Sequence, residues 1–278
     1  MKLNKFYVEN LIKTALLEDI NYIDTSADLV IPEDQRSKCY FIAKADGVLC
    51  GLDVAFSVFK MLDDSFTATV YKHDGDFVKS GERIADFEGY TVLMLKGERT
   101  ALNLLQHMSG IATMTHRAVS LCEGTACSVA DTRKTLPGMR ALQKYAVTVG
   151  GGKNHRFNLS DGAMLKDNHI DACGSITAAV ARLREKLGHM VKIEVETRDL
   201  DEVREALDCK ADVIMLDNMD CETMKKAVEM NNGQALLEAS GNITDETIAN
   251  VAKTGVDIIS IGALTHSVKA FDISMRID

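Results

Sequence analysis

KIEVETRDLDEVREALDCKADVIMLDNMDCETMKKAVEMNNGQALLEASGNITDETIANVAKTGVDIISIG, residues 192–262, decides how the chain folds. Short apolar runs recur through it at KIEVE (192–196), DVIMLD (212–217), ALLEAS (235–240) and DIISIG (257–262). Between them lie segments with helical apolar spacing at 199–208, 221–231 and 244–253. Strands alternating with helices predict parallel βαβ units. Runs that are apolar on both faces predict strands buried on both faces, as in a parallel sheet or barrel. Toward the N-terminus, CSVAD (127–131) and GAMLK (162–166) extend the series to six strands, with helices expected near 138–149 and 175–187. A full α/β barrel has eight strands, so six predict an incomplete one.

Upstream the rhythm changes. Residues 6–19 have Phe6, Leu11, Ile12, Ala15 and Leu16 at helical spacing. Residues 38–90 hold short alternating stretches broken by Gly and Asp-Gly, the pattern of strands and tight turns, with LDVAFSVFKML as a helix among them. The first hundred residues therefore predict a small α+β domain. Its HDGDFVKSGERIADFEG stretch superficially resembles a biotinyl or lipoyl carrier, but Lys79, beside a Gly turn, is a poor candidate for modification. From Gly97 to about Cys122 runs a long helical pattern that joins the two parts, with Ser109-Gly110 as a kink or a close-packing point.

The chain has 278 residues, 46% apolar and 26% charged, enough for two ordinary domains with sizeable cores. No apolar run reaches the length of a membrane span, and the charged N-terminus does not read as a secretory signal. Seven cysteines form no C-x-x-C pair and the seven histidines have no zinc spacing, so reduced thiols in the cytoplasm are expected. A net charge of −9 disfavours nucleic acid as a partner. Yet residues 131–169 carry Arg133, Lys134, Arg140, Lys144, Lys153, Arg156 and Lys166 against three acids, a net +4 that leaves −13 elsewhere. A basic island in an acidic chain suits a small anionic ligand, or else is a solvated helix face.

The polar residues at the strand ends point to the ligand reading. They are Asp131-Thr132-Arg133-Lys134, Lys166-Asp167-Asn168-His169, Glu194 with Glu196, Asp217-Asn218, Glu238 with Ser240-Gly241-Asn242, and Gly262. The C-terminal ends of parallel strands converge on one mouth. Turns also favour polar residues, but they do not require Arg, Lys and Glu in this order. Arg133, Lys134, His155, Arg156 and Lys166 would form a cationic wall, with Glu196 and Asp217 opposite. Such a site suits a substrate bearing carboxylates or phosphates. The two acids could hold Mg²⁺, or bond ribose hydroxyls and stabilise positive charge at a sugar carbon. Ser240-Gly241-Asn242 and Gly262-Ala263-Leu264 follow the last two strands, where barrels bind phosphate on backbone N–H groups. Gly150-Gly151-Gly152 is either another phosphate loop or the end of a helix. The chain has no G-x-G-x-x-G, no P-loop and no G-x-S-x-G. A Schiff-base lyase using Lys134 or Lys166, and a catalytically silent anion binder, remain as rivals.

The ordered motifs GERTALN (97–103), HMSGIAT (107–113), DTRKTLP (131–137), GGGKNHR (150–156), MLKDNHI (164–170), IEVE (193–196), IMLDN (214–218), LEASGNIT (237–244) and IGALTHS (261–267) resemble the quinolinate phosphoribosyltransferase family. The resemblance runs from about Glu18 to Ile277, with Asp24-Thr25-Ser26 echoing an N-terminal motif. Two departures touch packing more than chemistry: Asn21-Tyr22-Ile23 stands for a Gly-rich stretch, and Ser26 for a Thr. The resemblance implies an N-terminal α/β sandwich domain over 1–110, rejoined by about 267–278, and an incomplete six-stranded α/β barrel over 111–266. It implies conversion of quinolinate and phosphoribosyl pyrophosphate to nicotinate mononucleotide, pyrophosphate and CO₂ with Mg²⁺. It further implies a homodimer with shared active sites, with a hexamer as the larger alternative. Arg133, His155, Arg156 and Lys166 would hold the two carboxylates, with Arg99 reaching in from the other subunit. Lys134 and Thr132 would lie between quinolinate and the sugar, and Glu196 and Asp217 would face the ribose and its metal. Ser240, Gly241, Asn242, Gly262, Ala263 and His266 would line the phosphate end. Arg99 within Glu-Arg-Thr favours this family over its homologue associated with molybdenum transport.

Overall fold

Asn4 starts the first helix. Its side-chain oxygen accepts from the Phe6 and Tyr7 amides, and α1 (Lys5–Asp19) buries Val8, Ile12 and Leu16 four residues apart, one stripe of a helix. A short α2 (Ala27–Val30) follows, then β1 (Arg36–Ala43), β2 (Gly47–Val48), α3 (Leu52–Leu62), β3 (Thr67–Val70), β4 (Phe77–Val78) and β5 (Arg83–Tyr90). β1 alternates as expected, with Cys39, Phe41 and Ala43 fully buried. It is flanked by β5 and by the C-terminal strand Ile273–Ile277, both antiparallel, and β3 completes a four-stranded sheet. Phe56 and Phe59 of α3 meet Phe41 of β1 and Phe87 of β5 with ring centroids 5.3–6.2 Å apart, which fastens the helix to the sheet.

The connecting helix α4 (Thr91–Leu121) begins six residues before Gly97, because Val92 and Met94 already contribute buried side chains. It does not break at Ser109-Gly110. Ser109 is fully buried, its Oγ accepting the Cys50 N–H at 2.9 Å, and a Cβ on Gly110 would collide with the Lys269 carbonyl. The pair is a close-packing point.

The remaining elements are β6 (Ser128–Ala130), α5 (Arg140–Val149), β7 (Ala163–Leu165), α6 (Asp167–Cys173), α7 (Ile176–Lys186), β8 (Ile193–Thr197), α8 (Leu200–Asp208), β9 (Val213–Asp217), α9 (Cys221–Asn231), β10 (Leu236–Ser240), α10 (Ile248–Ala252), β11 (Ile258–Ser260), α11 (Ala263–His266) and β12, the C-terminal strand (Ile273–Ile277). All six expected strands form. They make one parallel sheet in the order β6-β11-β10-β9-β8-β7, open between β6 and β7, which is the incomplete barrel. α6 was not expected: the polar run after β7 is also a helix start, where the His169 ring accepts the Lys166 N–H at 3.0 Å.

This computed structural model describes residues 1–278 as two compact units. One comprises Met1–His116, Thr135–Gly151 and Leu264–Asp278, the other Arg117–Lys134 and Gly152–Ala263. Helix α5 thus lies in the first unit, whereas the sequence boundaries put it with the barrel. Two of its side chains explain this, since Gln143 donates to the Thr265 carbonyl at 2.9 Å and the Tyr145 hydroxyl donates to Asp74 at 2.9 Å. Gly150 caps α5 and Gly151 turns the chain, so this glycine run ends a helix. No helix is long and apolar enough to cross a membrane.

Candidate active site

Parallel strands deliver side chains to the barrel mouth at every second position. The mouth holds a cavity of roughly 310 Å³, at the small end of ligand cavities. Thr132, Arg133 and Lys134 line it from the turn after β6, and His155 and Arg156 from the next loop. Lys166 follows β7, Glu196 comes from β8, Asp217 from β9 and Ser240 from β10. A larger cavity of roughly 640 Å³ in the first unit, lined by Met1, Val8, Met61 and Tyr145 among others, has no such convergence of strand ends.

Nine expected residues therefore share one cavity, with four cations facing the carboxylates of Glu196 and Asp217. Arg156 Nη1 donates to the Gly162 carbonyl at 2.9 Å, and Nη2 lies 3.5 Å from Met164 Sδ. Burial, with the Arg133 guanidinium nearby, lowers the Arg156 pKa. Two crowded guanidiniums make a wall that an anion relieves. Lys166 Nζ sits 2.8 Å from Glu196 Oε2, tying the basic wall to the acidic one. Lys134 is exposed, and the Lys166 side chain is 47% exposed. Neither is desolvated as a Schiff-base lysine requires.

The basic island divides in space. Arg140 and Lys144 sit on α5 in the first unit, with Lys144 wholly buried, and neither lines the cavity. Arg99 is exposed on α4 and is not among the lining residues. Gly241, Asn242, Gly262 and Ala263 lie beyond the cavity wall on the turns after β10 and β11, and exposed His266 ends α11 in the first unit. The turns after β9 and β10 brace each other. Asn218 and Asn242 both have left-handed backbones, and Asn242 Nδ2 donates to Asn218 Oδ1 at 3.0 Å. Asn218 Nδ2 in turn donates to Asp217 Oδ2 at 2.8 Å. Gly241 has φ +95°, and a Cβ there would run into the Asn218 carboxamide. Only glycine fits this position without strain.

His155 reaches the cavity, but both ring nitrogens are engaged. Nδ1 accepts the Arg156 N–H at 2.8 Å, while Nε2 lies 3.1 Å from Glu194 Oε2 and 3.6 Å from Glu238 Oε2. The ring thus has no donor to spare for the substrate carboxylate assigned to it from the sequence. The loop is held from below by Asp131, fully buried, which accepts from the His155 N–H at 2.9 Å and from Asn154.

Glu238, Ser260, Met164 and Met215 also line the cavity and had no role assigned from the sequence. The signal for Glu238 and Glu194 was present: each is a charge inside an apolar strand, two residues before an assigned site residue and so on the same face. His155, Glu194 and Glu238 are compact enough to suggest a metal centre. A neutral ring whose Nδ1 accepts a hydrogen bond carries its hydrogen on Nε2, which leaves Nε2 no lone pair for a metal. The three form a proton-bearing cluster. Glu196 and Asp217 differ: two separated hard carboxylates at an open mouth fit Mg²⁺, which keeps most of its waters.

Comparison with known proteins identifies the family of the chain. The sequence matches the family models for the quinolinate phosphoribosyl transferase N-terminal domain over residues 24–109 and C-terminal domain over residues 111–276. It is 44% identical over 275 residues to the probable nicotinate-nucleotide pyrophosphorylase [carboxylating] of Bacillus subtilis, covering 99% of this chain and 95% of that one. The structure is similar to that of NadC from Streptococcus pyogenes, with TM-score 0.96, 41% identity and coverage of 99% of this chain and 98% of the other. It is likewise similar to the nicotinate-nucleotide pyrophosphorylase of Francisella tularensis, with TM-score 0.95, 40% identity and coverage of 100% and 98%.

Proposed function

The chain belongs to the quinolinate phosphoribosyltransferase family, and we propose how its residues divide that family's reaction among them. The enzyme is a nicotinate-nucleotide pyrophosphorylase (carboxylating). It transfers a phosphoribosyl group to quinolinate with loss of CO₂, in NAD biosynthesis. The observation that carries the division is the single cavity whose one wall is Arg133, Lys134, Arg156 and Lys166 and whose other is Glu196 and Asp217.

Quinolinate binds by its two carboxylates against Arg133, Arg156 and Lys166, whose guanidinium forks and ammonium favour a dianion. Lys134, beside Thr132, lies between that anion and the departing pyrophosphate. The Lys134 N–H donates to Thr132 Oγ1 at 3.0 Å, which shapes the turn presenting the lysine. As pyrophosphate leaves, positive charge grows at the anomeric carbon, where Glu196 and Asp217 stabilise it. Mg²⁺, when bound, would be held by Glu196 and Asp217 and would neutralise phosphate charge on the donor. Ser240, Gly241, Asn242, Gly262 and Ala263 serve the donor's 5′-phosphate, with backbone N–H groups of the two turns as donors. The new bond to the ring nitrogen creates a pyridinium, which draws electrons from the adjacent C2–carboxylate bond and lets CO₂ depart. Positioning and charge carry the bond-breaking steps, and no protein nucleophile is needed.

Arg99 completes the cradle from a second copy of the chain, in a homodimer or a hexamer of such dimers. Its exposure, away from the lining of its own cavity, supports this reading. Seven unpaired cysteines suit a reducing compartment, and the cytoplasm is the proposed location. Mixing inactive Arg99→Ala and Lys134→Ala proteins, with time to exchange subunits, tests the shared site. One intact site per hybrid dimer should restore activity, whereas mixtures that exchange subunits and stay inactive refute it.

A further inference from the structure

The reaction assigned above, on which this inference rests, consumes a proton. When CO₂ leaves, the electron pair of the broken bond stays on C2 of the pyridinium ring, and nicotinate mononucleotide carries hydrogen at that carbon. The cations of the basic wall are committed to substrate charges. One acid in the cavity has no such task.

Glu238 is 1% exposed, and its Oε1 has no hydrogen-bond partner. It is a wall of the catalytic cavity and also of a second cavity of roughly 240 Å³. Ala163, Glu194, Val213 and Ile258 line that second cavity, and all four stand at or near the N-terminal ends of their strands. The carboxyl therefore lies between the mouth of the barrel and its opposite end. Glu194 faces it from β8, Asp131 from the end of β6, Ser260 from β11 and His155 from the loop, while β9 presents only Met215. Burial first, then the Glu194 charge, push the Glu238 pKa up to about 7, against the pull of His155 and Ser260. At neutral pH such a carboxyl still holds its proton in a substantial fraction of molecules. His155 is fixed by the Arg156 N–H with its Nε2 hydrogen toward the two carboxylates, ready to steady the charge left behind.

We propose that Glu238 delivers the proton that replaces CO₂ at C2, and is recharged from solvent through the second cavity. The C2–carboxylate bond breaks and its electron pair remains on C2. CO₂ can recombine with that pair until the O–H bond of Glu238 breaks and the proton forms the new C2–H bond, leaving Glu238 as a carboxylate, so net CO₂ release waits on this transfer. Water reaching it from the barrel's other end returns one proton, so the net consumption is one proton from solvent per CO₂ released.

The test is a single-turnover measurement on the full-length protein that follows pyrophosphate and labelled CO₂ separately in wild type and Glu238→Gln. Glutamine keeps the shape and removes the proton. Pyrophosphate release should stay within about three-fold of wild type, while CO₂ release falls by about a hundred-fold or more, the usual cost of losing a general acid. A residue that only shapes the cavity would move both steps together, so parallel losses, or no loss in either, overturn the proposal. If the variant does not fold, the wild type decides. Its CO₂ release, but not its pyrophosphate release, should slow above about pH 7 and in deuterium oxide, and a flat profile refutes the role. Donor-independent CO₂ release by the wild type, or none at all, would instead refute the assigned reaction.

Discussion

Replacing Arg156 by alanine separates the account from a merely structural reading of the basic wall. A guanidinium has five N–H donors. One bond to the Gly162 carbonyl and one contact to Met164 Sδ use two, and the rest are available to a carboxylate. Burial, and then the charge of Arg133 on the same wall, lowers the Arg156 pKa, so a dianion is the natural partner of the pair. Truncation would leave one desolvated carboxylate of quinolinate without its fork, a loss of about 2–5 kcal/mol. At about 1.4 kcal/mol per decade, Kd for quinolinate should rise by about 30- to 3,000-fold. Stability should fall by only about 0.5–1.5 kcal/mol, since the fold loses one hydrogen bond to a half-exposed carbonyl. Arg156→Lys keeps the charge without the fork and should fall between. The assay is calorimetric titration of quinolinate into the three proteins, with Tm measured alongside. A Kd for Arg156→Ala within about three-fold of wild type would refute the carboxylate cradle.

Other perturbations probe other parts. Gly241→Ala places a side chain at φ +95° against Asn218, costing about 1–3 kcal/mol. It should raise KM for phosphoribosyl pyrophosphate far more than that for quinolinate, and steady-state kinetics with each substrate varied reads the difference. His107 is half-buried, desolvation lowers its pKa, and its Nε2 lies 2.9 Å from Gln143 Nε2, whose amide oxygen is occupied by the Leu136 N–H. The folded state therefore resists a proton that the unfolded chain accepts. Stability should decline as pH falls through the ordinary histidine range near 6.5, and denaturant titrations should show a shallower decline for His107→Gln. Chelation with EDTA should abolish turnover, with Mg²⁺ restoring it, because Glu196 and Asp217 alone leave the donor's phosphate charge unbalanced.

The barrel was legible because buried parallel strands leave unbroken apolar runs, and each run ended in residues whose only common place is the mouth. KIEVE and IMLDN announced both strand and site in one phrase. What stayed hidden depends on the third dimension. Lys144 and Arg156 look equivalent in a charge count, yet one is buried on α5 and the other lines the cavity. His155 reads as a cation for the substrate until the Arg156 amide is seen on its Nδ1. Glu194 and Glu238 stand out in their strands, but only the sheet order, with β9 between β8 and β10, shows how both can face one imidazole. Helix α6 was obscured because the polar residues that end a strand are also those that start a helix.

One cavity is proposed to perform phosphoribosyl transfer and decarboxylation without a covalent intermediate on the protein. Release of CO₂ from carboxyl-labelled quinolinate, with and without phosphoribosyl pyrophosphate and Mg²⁺ and in the presence of borohydride, tests it most directly. Release should require the donor, match nicotinate mononucleotide mole for mole and leave no label on the protein. Release without the donor, or a borohydride-trapped adduct on Lys134 or Lys166, would contradict it.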